Sequence, residues 1–427
     1  MKNSEIEKKH ITLVSELLYQ AADQVKILSH LAWPLSIREQ FFVNKEQQLP
    51  RVEYPKFDPT SAMAFLNKAR SKLTDSAIDD WLAKKADAIE NSISLLCHCG
   101  TSDFLQSSER LYGVPKSHLL DETSTSLDLA NQFTKILEGV ANVDLGAPPA
   151  ACILASTVAD EMAKACQKMF GNAAPPVTVV AQLSANALAG ANRIRIRQGA
   201  CFSDKDVQQL IQHEAYVHVA TALNGQQQDV LKFLAINTPA STKTQEGLAV
   251  FAELITGCID LERMQRLADR VIAIQMSIDG ADFMEVYGFY CAKMTNKEQA
   301  FENTRRVFRG GLLTGGAPFT KDIVYLDGLL RVHNFLRAIV SVGRPDCLRL
   351  LFCGKLDLTD IPMLGWMVAS GLCKPAVYLP PWATDLRFLL SYLAYSAFLN
   401  TIDFSQVKNH YANVLRDVPQ IPKPRQY

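Results

Sequence analysis

Apolar residues in the first quarter of the chain recur every three or four positions. Ile11, Leu13, Val14, Leu17 and Leu18 keep that spacing, as do segments 61–73 and 77–97, which follow a Pro-containing connection over 50–59. Such spacing puts side chains on one face of an α-helix, so residues 1–120 read as an N-terminal helical lobe. Segments 123–140 and 150–169 continue the pattern, separated by Gly146-Ala147-Pro148-Pro149, whose residue types suit a turn.

The period then changes. Pro175-Pro176 leads into Val177-Thr178-Val179-Val180-Ala181, and Asn192-Arg193-Ile194-Arg195-Ile196-Arg197 alternates polar with apolar, so both predict strands. A helix follows: Ser203 caps Asp204-Lys205-Asp206, and Val207, Leu210, Ile211, Val217 and Thr221 form an inward stripe. The pattern predicts a helix from about 204 to 223, ended by a left-handed stop at Asn224-Gly225. Thr242-Lys243-Thr244-Gln245 has capping-box spacing and predicts the start of the next helix. Helical patterning returns over 260–276, 283–293, 323–339, 362–372 and 386–399, and Pro419 to Pro424 reads as a loosely held end. The fold class is α+β, mainly helical, with a small sheet beside the helix that starts near Asp204.

That helix carries the densest chemistry. His213-Glu214-Ala215-Tyr216-Val217-His218 brings two of the eight histidines together around a carboxylate. A hydrolytic zinc site uses imidazoles and a carboxylate as ligands, leaves a position for water, and places a Glu beside it as general base. The spacing is one residue longer than H-E-x-x-H. On an ideal helix five residues turn about 500°, leaving the imidazoles roughly 140° apart, against about 40° for a spacing of four. A π-bulge between His213 and His218 absorbs the extra residue and lets both face one ion. The next helix offers Glu246 and Glu253, seven apart on one face, as a third ligand. Spacing alone does not choose between them, because one could bind metal while the other orients an imidazole.

Several separated motifs together resemble a known family. They are Ser107-Ser108-Glu109-Arg110-Leu111-Tyr112-Gly113, His213-Glu214 with His218, Thr221-Ala222-Leu223-Asn224-Gly225, Gln245-Glu246-Gly247-Leu248-Ala249, and Phe319-Thr320-Lys321-Asp322-Ile323-Val324-Tyr325-Leu326. Over roughly 107–337 the chain is similar to the QEGLA-motif proteins, which include the eukaryotic tyrosine carboxypeptidases that trim tubulin. Bacterial members are often labelled flavohemoglobin expression-modulating proteins, though nothing in this chain speaks to haem. The resemblance implies a zinc carboxypeptidase, with Zn2+ held by His213, His218 and Glu246 and with Glu214 as the catalytic base. Together with the patterning it implies a zincin-like metallopeptidase core over 121–427, completed by the C-terminal helices.

Composition narrows the partners. The 427 residues carry 44 basic and 44 acidic side chains, so no net field draws the chain to nucleic acid or an anionic membrane. No long Lys/Arg run is present to match an acidic tubulin tail. The charged start, Met1 to His10, lacks the apolar run of a secretory signal, and stretches such as 389–399 are too short to span a bilayer. Ten irregularly spaced cysteines suit reduced thiols and a cytoplasmic protein. Cys97-His98-Cys99 lacks a second pair at zinc-finger spacing and reads as buried thiols at a helix end.

A carboxypeptidase also needs a cation for the substrate's free carboxylate, and the planar fork of Arg suits it best. Arg305, Arg306, Arg309 and Lys321 are the candidates, around Gly310-Gly311 and Gly315-Gly316. No G-x-x-x-x-G-K-[ST] pattern is present, which excludes a P-loop. Tyr216 and Tyr287 are candidate donors to a tetrahedral oxyanion. The leading expectation is removal of a C-terminal residue, with tyrosine or another aromatic as the candidate, from a peptide or protein. An aminopeptidase or endopeptidase on the same site, or a regulatory protein on a peptidase scaffold, are the alternatives.

Overall fold

The structure is a computed structural model and describes residues 5–140, 143, 153–181, 183, 185–416 and 418. The turn expected at Gly146 to Pro149 and the tail from Pro419 to Pro424 lie outside the described residues. The architecture is α+β and mainly helical, with one three-stranded sheet among the described residues.

The amphipathic helices of the first quarter form as their patterning predicts, over Glu5–Asp23, Thr60–Arg70 and Ala77–Cys97. Their apolar faces enter a core that runs from Ile11 through the later helices to Leu393. A second, aromatic core joins Trp33 and Phe41 to Phe283, Phe301 and Phe308, with the Phe41 and Phe301 ring centroids 5.1 Å apart. It fixes helices Phe283–Lys293 and Lys297–Phe308 against the segment that follows Ile27. The later helices fall near their expected places, over Leu261–Ile278, Val324–Ser341, Ile361–Ser370 and Arg387–Leu399.

The sheet has the order β1-β3-β2, with β1 Val177–Val180, β2 Ala187–Gly190 and β3 Arg193–Arg197. β1 runs parallel to β3 and β2 antiparallel, with Ala189 opposite Ile194. Ile194 and Ile196 point into the core and their arginine neighbours do not, as the alternation requires. The sequence pattern misses β2, because Ala-Leu-Ala-Gly has no alternation and its small residues carry little strand preference. It is an edge strand, so its outer backbone edge is unpaired within the sheet.

Two helix boundaries differ from expectation. The helix from Asp204 does not stop at Asn224-Gly225 but runs to Gln226, and Gly225 is not left-handed. Asn224 is used for docking: its amide donates to Tyr378 O at 2.8 Å and its oxygen accepts from the Val377 and Tyr378 amides. The following helix begins at Pro239 rather than near Gln245. Thr238 precedes a proline at the first helical position, and Ser241 Oγ accepts from the Thr238 amide at 3.2 Å.

Helix Pro239–Ile255 is buried nearly all round, with Leu248, Ala249, Val250, Phe251 and Ala252 fully excluded from solvent. It crosses Val324–Ser341 where two glycines meet: a Cβ on Gly247 would lie 2.3 Å from the Gly328 carbonyl oxygen. This close approach fixes Glu246 and Tyr325 on neighbouring walls of one space.

Among the described residues eight cysteines are free thiols, whereas Cys201 is disulfide-bonded, so the expectation of reduced thiols fails there. Cys97 is exposed rather than buried, and His98 pairs with Ser107 Oγ at 2.8 Å. Among the described residues no helix is long and apolar enough to cross a membrane.

Candidate metal centre and active site

The extra residue between the histidines is absorbed by backbone. Residues Ile211–Val219 form a π-helical stretch inside the continuous helix from Asp204 to Gln226. In a π-turn residues five apart fall roughly one above the other. The His213 and His218 rings accordingly meet edge to face, with centroids 4.8 Å apart.

Glu246 closes the group. Its Oε2 lies 3.4 Å from His213 Nε2 and 3.5 Å from His218 Nε2, and the three ligand atoms all lie within 4.8 Å of one another. In a tetrahedral zinc site with bonds of about 2.0–2.2 Å, neighbouring ligand atoms stand roughly 3.3–3.5 Å apart. The two carboxylate–imidazole separations match that spacing, so this group of two imidazoles and one carboxylate could hold a zinc ion with a position left for water. Among the described residues this is the one group of three or more such side chains that could hold a metal.

The far side of His213 is also fixed. Its Nδ1–H donates to Glu253 Oε1 at 2.7 Å, and Arg263 grips Glu253 with Nε and Nη2, each at 2.9 Å. Burial raises the Glu253 pKa, but Arg263 and His213 outweigh it and hold the carboxyl at about 2. Burial lowers the His213 pKa, and Glu246 and Glu253 overcome it, lifting the ring to about 10. His218 is pulled down by burial, the larger effect, which favours a neutral ring with a free lone pair.

Glu214 is buried beside these three residues, and its Oε2 accepts from the Ala189 amide on the outer edge of β2 at 3.1 Å. A cavity of about 900 Å³ opens over this edge, and His213, Glu214, His218 and Glu246 line it. Cations reach it from separate segments, among them Arg38, Arg195, Arg197, Arg309 and Lys355. Folding thus gathers cations that no run in the sequence provides, with Glu298 and Glu302 among them on the same wall and paired to Arg38.

All four candidate cations line the cavity, but three are engaged. Arg305 pairs with Glu302 at 2.5 Å. Arg306 holds Asp322 with two bonds, at 2.5 and 2.9 Å. Lys321 Nζ lies 3.4 Å from Glu246 Oε1 and over the Tyr325 ring. Arg309 is 6% exposed and has no ion-pair partner among the described residues. Its guanidinium lies over the Phe319 ring and its Nε has no hydrogen-bond partner. Burial, with Arg306 nearby, pushes its pKa down to about 10.

Neither expected tyrosine serves the site. Tyr287 donates to Glu46 Oε2 at 2.9 Å within the aromatic core, and Tyr216 packs against the main core instead of lining the cavity. Tyr325 does line it, stacked on His213 at 6.5 Å between ring centroids and 3.5 Å from Arg306 Nη2. It stands four residues after Lys321, so one helical turn brings both to one face, a signal that was present in the sequence.

In comparison with known proteins, residues 39–401 match the family described as microtubule-associated tyrosine carboxypeptidase. No curated protein matches the chain.

Proposed function

The chain belongs to the microtubule-associated tyrosine carboxypeptidase family, and we propose that it is a zinc-dependent carboxypeptidase that removes an aromatic C-terminal residue from a peptide or protein. The observation that carries the reading is the convergence of His213, His218 and Glu246 across a π-turn, with Glu214 beside them. On this reading the π-helical segment and the β2 edge are the parts of a zincin-like core.

Bound by these three residues, zinc supplies a Lewis acid that acidifies water and polarises a carbonyl. Glu214 is the proton carrier: its carboxylate takes a proton from the attacking water and returns it to the leaving amine. The Ala189 amide holds Glu214 Oε2 and so fixes the orientation of the base. The free edge of β2 offers main-chain groups to an extended peptide lying across the cavity. Tyr325 presents a hydroxyl on the ligand side of the cavity, where it donates to developing negative charge. Arg309, with unused donors, receives the terminal carboxylate.

Three peptides of one sequence test the reading: free, C-terminally amidated and N-terminally acetylated. A zinc carboxypeptidase cleaves the free and acetylated peptides at the last bond and discriminates against the amide. Cleavage stopped by the acetyl group indicates an aminopeptidase, indifference to both an endopeptidase, and no cleavage at all removes the enzymatic reading.

A further inference from the structure

The metal-site reading assigns work to Glu214, Glu246 and Glu253 but leaves Lys355 unexplained. It follows the short helical stretch Pro345–Phe352 and reaches the cavity beside His218. Its backbone is anchored, because the Lys355 amide donates to Leu234 O at 2.8 Å and Gly354 packs directly on Leu234. The ammonium donates to His218 O at 3.0 Å, Thr221 Oγ1 at 2.9 Å and Gln245 Oε1 at 3.1 Å. An ammonium has three donors, and these three acceptors use all of them. None is a carboxylate, and among the described residues no carboxylate lies within ion-pair distance of Lys355.

Placing an ammonium here without a counter-ion costs desolvation, and the acceptors say what that cost achieves. His218 O belongs to a ligand residue near the end of the π-helical stretch. Thr221 Oγ1 lies 2.8 Å from Val217 O, one residue earlier, and 2.8 Å from Gln245 Oε1. Gln245 directly precedes the ligand Glu246. The cation therefore ties the π-turn to the helix that carries the third ligand. A π-turn is a rarely adopted backbone. If the segment relaxed to α-helical register, His218 would swing away from His213.

We propose that Lys355 is a positioning residue of the metal centre: by binding His218 O, Thr221 and Gln245 together it holds the π-turn in the register that lets His213, His218 and Glu246 face one ion. It is not a catalytic residue, because no donor remains for substrate. The inference rests on the zinc reading above.

The test uses the full chain, stripped of metal and titrated with zinc against a chromophoric chelator, with the visible spectrum of the cobalt-loaded protein as a second readout. Lys355→Met is expected to weaken zinc binding about 10-fold to 100-fold and to shift the cobalt bands. The metal-free thermal midpoint should change little, because the three lost hydrogen bonds are offset by removal of a poorly neutralised buried cation. Thr221→Val keeps the lysine but removes its hydroxyl partner, and is expected to weaken zinc in the same direction by less. A merely structural role for Lys355 would lower the thermal midpoint and leave affinity and spectrum alone. Lys355→Met binding zinc within about threefold of wild type, with the same cobalt spectrum, overturns the proposal. If Lys355→Met does not fold, unchanged affinity in Thr221→Val overturns it. If the wild-type chain binds no zinc, the metal reading and this inference fall together.

Discussion

His213 joins two carboxylates of one helix: its Nδ1 donates to Glu253 at 2.7 Å, while its Nε2 faces Glu246 Oε2 at 3.4 Å. The two acids stand seven residues apart on one face, so spacing alone leaves their roles interchangeable. Their surroundings separate them. Glu246 lines the cavity, whereas Glu253 is fully excluded from solvent under the Arg263 fork. On the proposed reading, Glu246→Ala loses zinc outright. Glu253→Ala frees the imidazole to turn and also strands Arg263, so it costs stability, and in the folded protein it weakens binding about 10-fold to 100-fold. Chelator competition on the two variants checks the order, and the reverse order would exchange the roles.

Glu214→Gln should keep zinc at wild-type affinity and lose roughly two or more orders of magnitude in turnover, as loss of a general base requires. Gln preserves the oxygen that accepts from Ala189, so the site should remain folded. Normal cleavage by this variant would falsify the base assignment.

The buried Glu253–Arg263 pair predicts an acid limb of stability. The carboxyl is depressed from its ordinary 4.5 to about 2 in the folded chain. A depressed carboxylate stabilises the fold above its unfolded pKa, and that contribution disappears as pH falls from about 4.5 through 2. Metal-free wild type should therefore lose stability in this window. The Glu253→Gln/Arg263→Met double variant, which removes the pair together, should show a flatter profile there in denaturant melts. Glu253→Gln alone leaves Arg263 buried without its partner and should cost about 3–5 kcal/mol.

The legible parts of this molecule were those governed by short-range pattern. Amphipathic spacing located the helices, alternation located β1 and β3, and the over-long His-Glu-His spacing called for a π-turn that the backbone adopts. What escaped depends on tertiary contact. β2 has no pattern of its own and gains its place by pairing with β3. Asn224-Gly225 has the residue types of a stop, but they serve docking to 377–378 and to Leu234. The tyrosine stacked on His213 was not one of the two expected, because the Gly247–Gly328 crossing that sets Tyr325 beside Glu246 leaves no local pattern. Among four candidate cations, sequence could not show that carboxylates already engage three.

Arg309 therefore carries the last prediction. On the proposed reading, its buried guanidinium with an unpaired Nε, lining the same cavity as Glu214, is matched by an anion arriving with the substrate. A charge-assisted hydrogen-bonded pair contributes roughly 1.5–3 kcal/mol, which is about 10-fold to 100-fold in kcat/KM. Arg309→Met should lose that factor on a free C-terminus and almost nothing on the amidated peptide, where wild type has already lost the interaction. The equality of the two enzymes on the amide is the decisive measurement, because a variant that is merely misfolded loses both substrates alike. Arg306→Met provides the contrast. It strands Asp322 as a buried, unpaired carboxylate and should cost about 3–5 kcal/mol of stability, with both peptides affected in parallel. If Arg309→Met instead cleaves the free peptide at the wild-type rate, the carboxylate is held elsewhere in the cavity and the assignment of Arg309 is wrong.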